Sequence, residues 1–156
     1  MLQLGDVMTS QQRHVEAAGF VVLRKTGAGH DMLVLRTQEG EPDLPKGHLD
    51  GDEPVLAAAK RETAEEAGVT QLDMQWDMKR AFVAGTTMMH IGVTDQAPSI
   101  SPNPKTGKLE HASYAWVPLE DAEDALDGSY LRPVVAWARG IVGQIAVEHC
   151  TNHVLD

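Results

Sequence analysis

The chain has 156 residues, 42% of them hydrophobic, which is enough for one domain with its own apolar core. Its 23 acidic and 13 basic residues give a net charge of −10, which argues against a basic face for duplex nucleic acid. The single cysteine excludes an internal disulfide, and the apolar runs are too short to predict a membrane span.

The first elements are predicted from apolar runs and turn residues. Residues 1–13 are polar and irregular, and we expect a flexible arm there, followed by a single domain over residues 14–156. The mostly apolar segment 14–23 predicts a strand, with residues 31–35 as its partner across a glycine-containing turn. Residues 39–52 contain several glycines and prolines and predict a loop.

Residues 53–67 predict a helix with clear end signals. Pro54 is typical of a first helical turn, and Gly68 is typical of a left-handed C-terminal cap. Leu56, Ala59, Thr63 and Ala67 recur at helical spacing and predict one narrow buried face.

The second half of the chain again mixes strands and helices. We expect two strands within residues 72–95, a break near Gly85 and a proline-rich loop after them. Strands interleaved with helices predict an α/β architecture with a mixed sheet covered by helices. The remaining predicted elements are the loop 97–108, a strand at 113–117, a short helix at 119–126 and a longer amphipathic helix at 131–147.

An acidic cluster occupies the end of the predicted helix 53–67. Glu62, Glu65 and Glu66 fall within an arc of about 100°, beside the apolar stripe. They lie at the end of the helix where the macrodipole disfavours negative charge, and a bound cation would offset that unfavourable charge. Carboxylate oxygens suit Mg²⁺ or Mn²⁺. The alternative is a solvated acidic face, which costs only about a few tenths of a kcal/mol.

The loop before this helix favours the metal interpretation. Residues 47–69 resemble the signature of the Nudix hydrolase family, a loop–helix–loop phosphohydrolase motif. A chance match anywhere in the chain has a probability of about one in a million at average residue frequencies. Seven motif residues stand at the family's offsets: Gly47, Glu53, Arg61, Glu62, Glu65, Glu66 and Gly68.

The resemblance implies a fold and an activity. It implies an α/β/α sandwich with the motif helix packed on a mixed β-sheet. It also implies a hydrolase in which water attacks a phosphorus of a nucleoside diphosphate linked to another group. Glu62, Glu65 and Glu66, with the carbonyl of Gly47, would hold Mg²⁺, which Mn²⁺ can replace.

The same resemblance implies the remaining roles within the motif. Arg61 and Glu53 would pair and hold the loop against the helix. One glutamate, inside or outside the motif, would act as the general base. Thr63 departs from the family's usual aliphatic residue, and its hydroxyl needs a local partner such as a carbonyl one turn back.

Further residues are similar to those of one branch of the family, the asymmetric diadenosine tetraphosphate hydrolases, over about residues 15–127. The shared segments are 17–19, 44–48, 79–80 and 110–116, in that order. Two departures are Asp43, which replaces an aromatic-rich approach to the loop, and a long loop at 101–108.

This branch implies a set of substrate-binding residues outside the motif. Glu110 would be a further metal ligand or the base, and Tyr114 would stack on adenine. The residues that would contact phosphates are Lys46, His48, Lys79 and Arg80. Each of these residues also has an ordinary structural interpretation. The lysines and Arg80 would be surface cations, His48 would cap the loop, and Tyr114 would belong to the core.

The leading hypothesis for function is hydrolysis of diadenosine tetraphosphate to ATP and AMP. Alternative enzymatic functions are removal of pyrophosphate from the 5′ end of RNA and hydrolysis of nucleoside triphosphates or nucleotide sugars. A nucleotide-sensing module without catalysis is the non-enzymatic alternative, and the intact motif glutamates argue against it. We expect a cytoplasmic protein, monomeric or homodimeric, with a small nucleotide as its partner and no membrane.

Overall fold

The computed structural model describes residues 14–76 and 80–155, and side chains as far as residue 143. Within these residues, seven strands form one mixed sheet. The strands are β1 (Ala17–Thr26), β2 (Gly29–Thr37), β3 (Pro42–Asp43), β4 (Lys46–His48), β5 (Phe82–Ala84), β6 (Thr87–Val93) and β7 (His111–Pro118). The helices are α1 (Val55–Ala67), a 3₁₀ turn (Leu119–Asp121), α2 (Ala122–Ala125) and α3 (Arg132–Leu155).

Strand β1 lies at the centre of the sheet. One edge of β1 pairs in parallel with β6. The other edge pairs with β2 only near the hairpin turn, from Leu23 to Thr26. Beyond that point β1 and β2 diverge; β4 then pairs with β1, and β3 pairs with β2. The segment that leads into α1 therefore runs into the fork between the two longest strands.

Gly19 allows β4 to approach β1. A Cβ atom at this position would lie 2.0 Å from the carbonyl oxygen of Pro45 and 2.5 Å from the Cβ of Lys46. Because no side chain larger than hydrogen fits there, the small residue fixes how closely the Lys46–His48 segment lies on the sheet.

The sheet separates two layers of helix. Alternate side chains of β1 point to opposite faces, as expected for a strand buried on both sides. Phe20 and Val22 belong to the cluster under α1, whereas Val21 and Leu23 belong to the cluster that contains Val134 of α3. The structure therefore confirms the predicted α/β/α arrangement around a mixed sheet.

Helix α1 shows the predicted end and most of the predicted buried stripe, in which Leu56 is only half-buried. Ala59, Thr63 and Ala67 are buried, and the Thr63 hydroxyl donates to the carbonyl of Ala59 at 2.8 Å. Gly68 ends the helix at φ = 68°, a conformation that favours glycine. The start was predicted two residues early, because Pro54 is extended and precedes the first helical residue.

One other prediction needs correction. Residues 39–52 are not all loop, because β3 and β4 find strand partners at the fork between β1 and β2. The prediction of two strands within residues 72–95 with a break near Gly85 is confirmed by β5 and β6, and before them Asp73 forms an isolated bridge with Val93. The predicted arm at 1–13 lies outside the described residues. Among the helices that the structure describes, none combines the length and apolar character of a bilayer-spanning segment.

Candidate active site

Arg61 connects the loop before α1 to the acidic end of the helix. Its Nε and Nη2 atoms donate to the two oxygens of Glu53 at 2.9 and 3.0 Å, and these contacts hold the pKa of Glu53 below its usual value. Nη2 also donates to the carbonyl of His48 at 2.9 Å. Nη1 donates to Glu62 at 2.8 Å and to Glu65 at 3.1 Å. One guanidinium therefore holds the loop and orients two of the three glutamates.

Gly47 lies directly against the Glu62 carboxyl group. A Cβ atom at Gly47 would be 2.2 Å from Cδ of Glu62 and 2.3 Å from its Oε2. Burial raises the pKa of Glu62, and the opposing effect of Arg61 is smaller. The backbone of the loop and this carboxyl group therefore share one partly desolvated space.

Glu66 is the most buried of the three glutamates, at 8% exposure. Its Oε1 accepts a hydrogen bond from the backbone N–H of Lys46 at 3.0 Å. Burial raises the pKa of Glu66 to about 8, and the hydrogen bond offsets only part of that effect. This carboxyl group is thus hydrogen-bonded to β4, but its ionised form is disfavoured because water cannot solvate it.

Asp43 and His111 lie beside Glu66, although the sequence motifs predict a role for neither residue. His111 Nε2 lies 2.9 Å from Asp43 Oδ2, and its Nδ1 lies 3.7 Å from Glu66 Oε2. The Lys46 ammonium group pairs with Asp43 at 3.1 Å. Atoms of Asp43, Glu66 and His111 that can bind metal all lie within 4.8 Å of one another.

The ionised form of Asp43 and the protonated form of His111 stabilise each other. Burial opposes the ionised form of Asp43, but His111 and Lys46 outweigh it and lower the pKa of Asp43. Burial likewise opposes protonated His111, but Asp43 and Glu66 outweigh it and raise the pKa of His111. Because Asp43 already accepts from His111, Lys46 and the N–H of Leu44, we interpret Asp43 and His111 as a charged pair that lies beside Glu66 and not as metal ligands.

A β-bulge explains why the position of His111 could not be read from the sequence. Tyr114 pairs with Leu35 and His111 pairs with Thr37, so the register shifts between Arg36 and Thr37. Strict alternation would send residues 111 and 114 to opposite faces of the sheet. The inserted residue places both on the α1 side.

Glu110 lies beside the acidic cluster, as its predicted role requires. Its Oε1 accepts from the Asn103 amide at 3.1 Å. With Glu65, Glu66 and His111, it lines a narrow cleft that holds no more than about 10 Å³. The structure therefore brings Glu110 together with the motif glutamates.

The predicted substrate-binding residues are spread more widely. Lys46 and Asp43 line a cleft of about 410 Å³, and the exposed Tyr130 also lines it. Tyr114 lines another cleft of about 410 Å³, with Trp116.

The other phosphate-binding candidates lie at the surface or outside the described residues. His48 is exposed on β4, and its carbonyl group accepts from Arg61. Arg80 is exposed and precedes β5. Lys79 lies outside the described residues, so its predicted phosphate contact stays a prediction.

Comparisons with known proteins agree with this geometry. The NUDIX domain family model matches residues 13–138. A Caenorhabditis elegans bis(5′-nucleosyl)-tetraphosphatase (asymmetrical) is 33% identical over 136 residues, covering 81% of this chain and 98% of the relative. The crystal structure of a C. elegans Ap4A hydrolase binary complex matches with a TM-score of 0.61 at 30% identity, covering 80% of this chain and 99% of that one. A Nudix hydrolase from M. smegmatis shares the fold, with a TM-score of 0.60 at 21% identity over 85% of this chain and 88% of its own.

The chain therefore belongs to the NUDIX family, and it is a hydrolase that acts on phosphoanhydride bonds.

Proposed function

We propose that the chain hydrolyses a dinucleoside tetraphosphate, most specifically diadenosine tetraphosphate, to a nucleoside triphosphate and a nucleoside monophosphate in a reaction that requires Mg²⁺. The C. elegans relative and the C. elegans crystal structure described above carry this type of activity in their names, and both align over most of this chain. One observation carries the proposal: Lys46 on β4 lines a large cleft, and its backbone N–H contacts Glu66 of the carboxyl cluster on α1.

The carboxyl cluster has the chemistry of a divalent cation site. Arg61 uses Oε1 of Glu62 and Oε2 of Glu65, which leaves the second oxygen of each carboxyl group for another cation. Burial disfavours the charged forms of Glu62 and Glu66. A positive ion would replace their lost solvation, and hard oxygen donors suit Mg²⁺ or Mn²⁺.

The ligand set that we propose extends beyond the helix. The carbonyl of Gly47 is included because the backbone there touches the Glu62 carboxyl group. Glu110 is included because it shares the narrow cleft with Glu65 and Glu66. When bound, a divalent ion neutralises polyphosphate charge and polarises the phosphorus that is attacked.

Side chains of the protein would bind the phosphates and position the cation ligands. Lys46 lies where it can bind a phosphate, since it lines the large cleft and its backbone N–H contacts Glu66. His48, Lys79 and Arg80 stay candidates for the outer phosphates. Arg61 and Glu53 keep the loop in place and thereby position the cation ligands.

The reaction itself is a single displacement at phosphorus. A water oxygen bonds to one phosphorus while the bridging P–O bond breaks, and the water proton passes to one of the motif glutamates or to Glu110. The leaving phosphate takes the electron pair of the broken bond. Positioning and charge stabilisation supply most of the catalysis in such reactions.

A substrate panel tests the proposal. Purified protein is incubated with Mg²⁺ and diadenosine tetraphosphate, triphosphorylated RNA, ADP-ribose or a nucleoside triphosphate, and products are separated by ion exchange. We expect ATP and AMP from diadenosine tetraphosphate at the highest kcat/KM, and no turnover with EDTA. Hydrolysis in ¹⁸O-labelled water then identifies the phosphorus that water attacks.

The outcomes separate the parts of the proposal. Faster cleavage of ADP-ribose or RNA would overturn the substrate assignment and leave the family intact. Equal turnover with EDTA present would overturn the role of the metal.

A further inference from the structure

The loop at residues 101–108 is attached to two parts of the motif. Just before the loop, the backbone N–H of Ser99 donates to the carbonyl of Ala67, at the end of α1, at 2.8 Å. Within the loop, the Lys105 ammonium group pairs with Asp50, in the segment that leads into α1, at 2.7 Å. The loop is therefore held against the motif helix and against the segment that precedes it.

Hydrogen bonds fix Asn103 within this loop. Asn103 is half-buried, whereas the residues that follow it in the loop are exposed. Its side-chain oxygen accepts from the backbone N–H groups of Lys105 and Thr106 at 2.8 and 3.3 Å. Its backbone N–H donates to the carbonyl of Lys108 at 2.8 Å, and its carbonyl accepts from the N–H of Gly107 at 2.7 Å. These bonds define both the backbone of the turn and the plane of the side-chain amide.

The fixed amide of Asn103 leaves one direction for its NH₂ group. Because the side-chain oxygen faces two N–H donors, the nitrogen faces the other way, and it donates to Oε1 of Glu110 at 3.1 Å. The turn by itself would accept aspartate equally well, since aspartate offers the same acceptor. Aspartate cannot donate, however, and it would place a second negative charge against Glu110. Asparagine at this position therefore serves the Glu110 carboxyl group as well as the turn.

Glu110 needs such a contact if its carboxyl group is to have a defined orientation. Its side chain is exposed, so packing does not restrict it, and an unrestrained glutamate samples several rotamers. Glu110 and Asn103 line the narrow acidic cleft together with Glu65 and Glu66. The hydrogen bond from Asn103 uses one carboxyl oxygen of Glu110 and leaves the other for a cation or a water molecule.

From these observations we propose that Asn103 is a positioning residue for the hydrolysis, because it orients the Glu110 carboxyl group at the cleft that the motif glutamates line. This inference rests on the proposed function, in which Glu110 is a metal ligand or the general base. It adds to that function a role for the loop: the turn at 103–107 holds an amide donor beside the carboxyl group. The pair of Lys105 and Asp50 keeps the turn next to the motif, but an exposed ion pair contributes little by itself.

A double-mutant cycle tests whether Asn103 acts through Glu110. The substrate is the nucleotide that the wild type cleaves at the highest kcat/KM with Mg²⁺. Groups that orient metal ligands typically contribute about 10- to 100-fold, so we expect kcat to fall about 10-fold in Asn103→Ala, with KM within about threefold of the wild type. In the Glu110→Gln background no carboxylate is left to orient, and Asn103→Ala should change kcat by less than about twofold.

Two matched variants separate the donated hydrogen bond from a general loosening of the loop. Asn103→Asp keeps the acceptor of the turn and loses the donor, so its kcat should fall at least as far as in Asn103→Ala. Gln38→Leu removes another exposed amide, which donates at 2.9 Å to the backbone carbonyl of Leu109, next to Glu110. Its kcat should stay within about twofold of the wild type, because that contact is with the backbone and not with the carboxyl group.

The contact itself is measured by NMR in the metal-free protein. The side-chain NH₂ signals of Asn103 are identified by their loss in Asn103→Ala. They should shift in Glu110→Ala and stay unchanged in Gln38→Leu, and this measurement does not depend on turnover. Unchanged Asn103 signals in Glu110→Ala would overturn the inference.

The outcomes separate this inference from the proposed function. If Asn103→Ala lowers kcat equally in the wild-type and Glu110→Gln backgrounds, Asn103 does not act through Glu110, and the proposed function stands. Wild-type kcat in Asn103→Asp, or an equal fall in Gln38→Leu, would also overturn the inference, because the effect would then belong to the loop. If the wild type prefers a nucleotide other than diadenosine tetraphosphate, the proposed substrate is wrong, and the cycle on the preferred nucleotide still tests Asn103.

Discussion

Gly47 and Glu62 are in such close contact that an added methyl carbon on Gly47 would lie 2.2 Å from the carboxyl carbon of Glu62. The glycine is on β4 and the glutamate is on α1, so the contact joins the sheet to the motif helix. Because Arg61 already fixes one oxygen of Glu62, the side chain has little freedom to move away.

Substitution Gly47→Ala should therefore impair catalysis more than folding. The new Cβ would displace Glu62, and displacements of about 1 Å near reacting groups can cost about 100-fold in rate. We expect kcat with Mg²⁺ to fall by that order. Gly27→Ala is the matched control, because a Cβ there meets nothing within 4 Å. A Gly47→Ala enzyme with wild-type kcat would contradict the close contact.

Glu66→Gln should lower activity and stabilise the metal-free protein. The folded-state pKa of about 8 lies above the ordinary value of 4.5, so ionised Glu66 opposes folding increasingly as pH rises from 4.5 to 8. At pH 8.5 the neutral amide should raise the free energy of unfolding by up to about 5 kcal/mol, since each unit of pKa shift is about 1.4 kcal/mol. kcat should fall on the order of 100-fold or more.

Thermal unfolding with and without Mg²⁺ measures this effect. Mg²⁺ should raise the Tm of the wild type more than that of Glu66→Gln. Asp124→Asn, which removes a carboxylate that is 94% exposed, serves as the control and should behave as the wild type. A metal-free Glu66→Gln protein less stable than the wild type would show that ionised Glu66 does not oppose folding.

Arg61→Lys should weaken metal binding although it conserves charge. A lysine has one donor group and cannot contact Glu53, the His48 carbonyl, Glu62 and Glu65 together. Supporting residues of metal sites typically contribute about 10- to 100-fold. We expect the Mg²⁺ concentration for half-maximal rate to rise by that factor. Arg139→Lys is the control, and an unchanged Mg²⁺ requirement in Arg61→Lys would refute the role of the guanidinium contacts.

His90 should make the fold sensitive to mild acid. The ring is buried at 5% exposure, with no hydrogen-bond partner at either nitrogen, and burial lowers the pKa of His90. Since the unfolded chain binds a proton below about pH 6.5 and the folded one resists it, His90 costs stability as pH falls below 6.5. The loss is at most about 1.4 kcal/mol per pH unit.

Denaturant titrations between pH 7 and 5 measure this loss of stability as the difference in the free energy of unfolding between the wild type and His90→Leu. The difference is needed because His111, whose pKa is raised, stabilises the fold below pH 6.5 and loses this effect as pH rises. His14→Leu, at an exposed position, is the control. Parallel pH profiles for the wild type and His90→Leu would contradict the prediction.

Local sequence patterns predicted the parts of the fold that depend on near neighbours. Helix α1 follows from a stripe at helical spacing and a terminal glycine, and the hairpin of β5 and β6 follows from the break at Gly85, where φ is 62°. Strands β3 and β4 escaped prediction, because their hydrogen-bond partners are distant in sequence and exist only where β1 and β2 diverge.

By itself the sequence determined the motif, the acidic helix end and the family, because these depend on residue types at fixed spacing within one segment. Only the tertiary structure decided that Asp43 and His111 lie beside Glu66, since a bulge in β7 changes which face His111 occupies. It also decided that Lys46 and Tyr114 line different clefts. Contacts between segments far apart in the chain depend on strand register and on which strands diverge, and no local pattern encodes either.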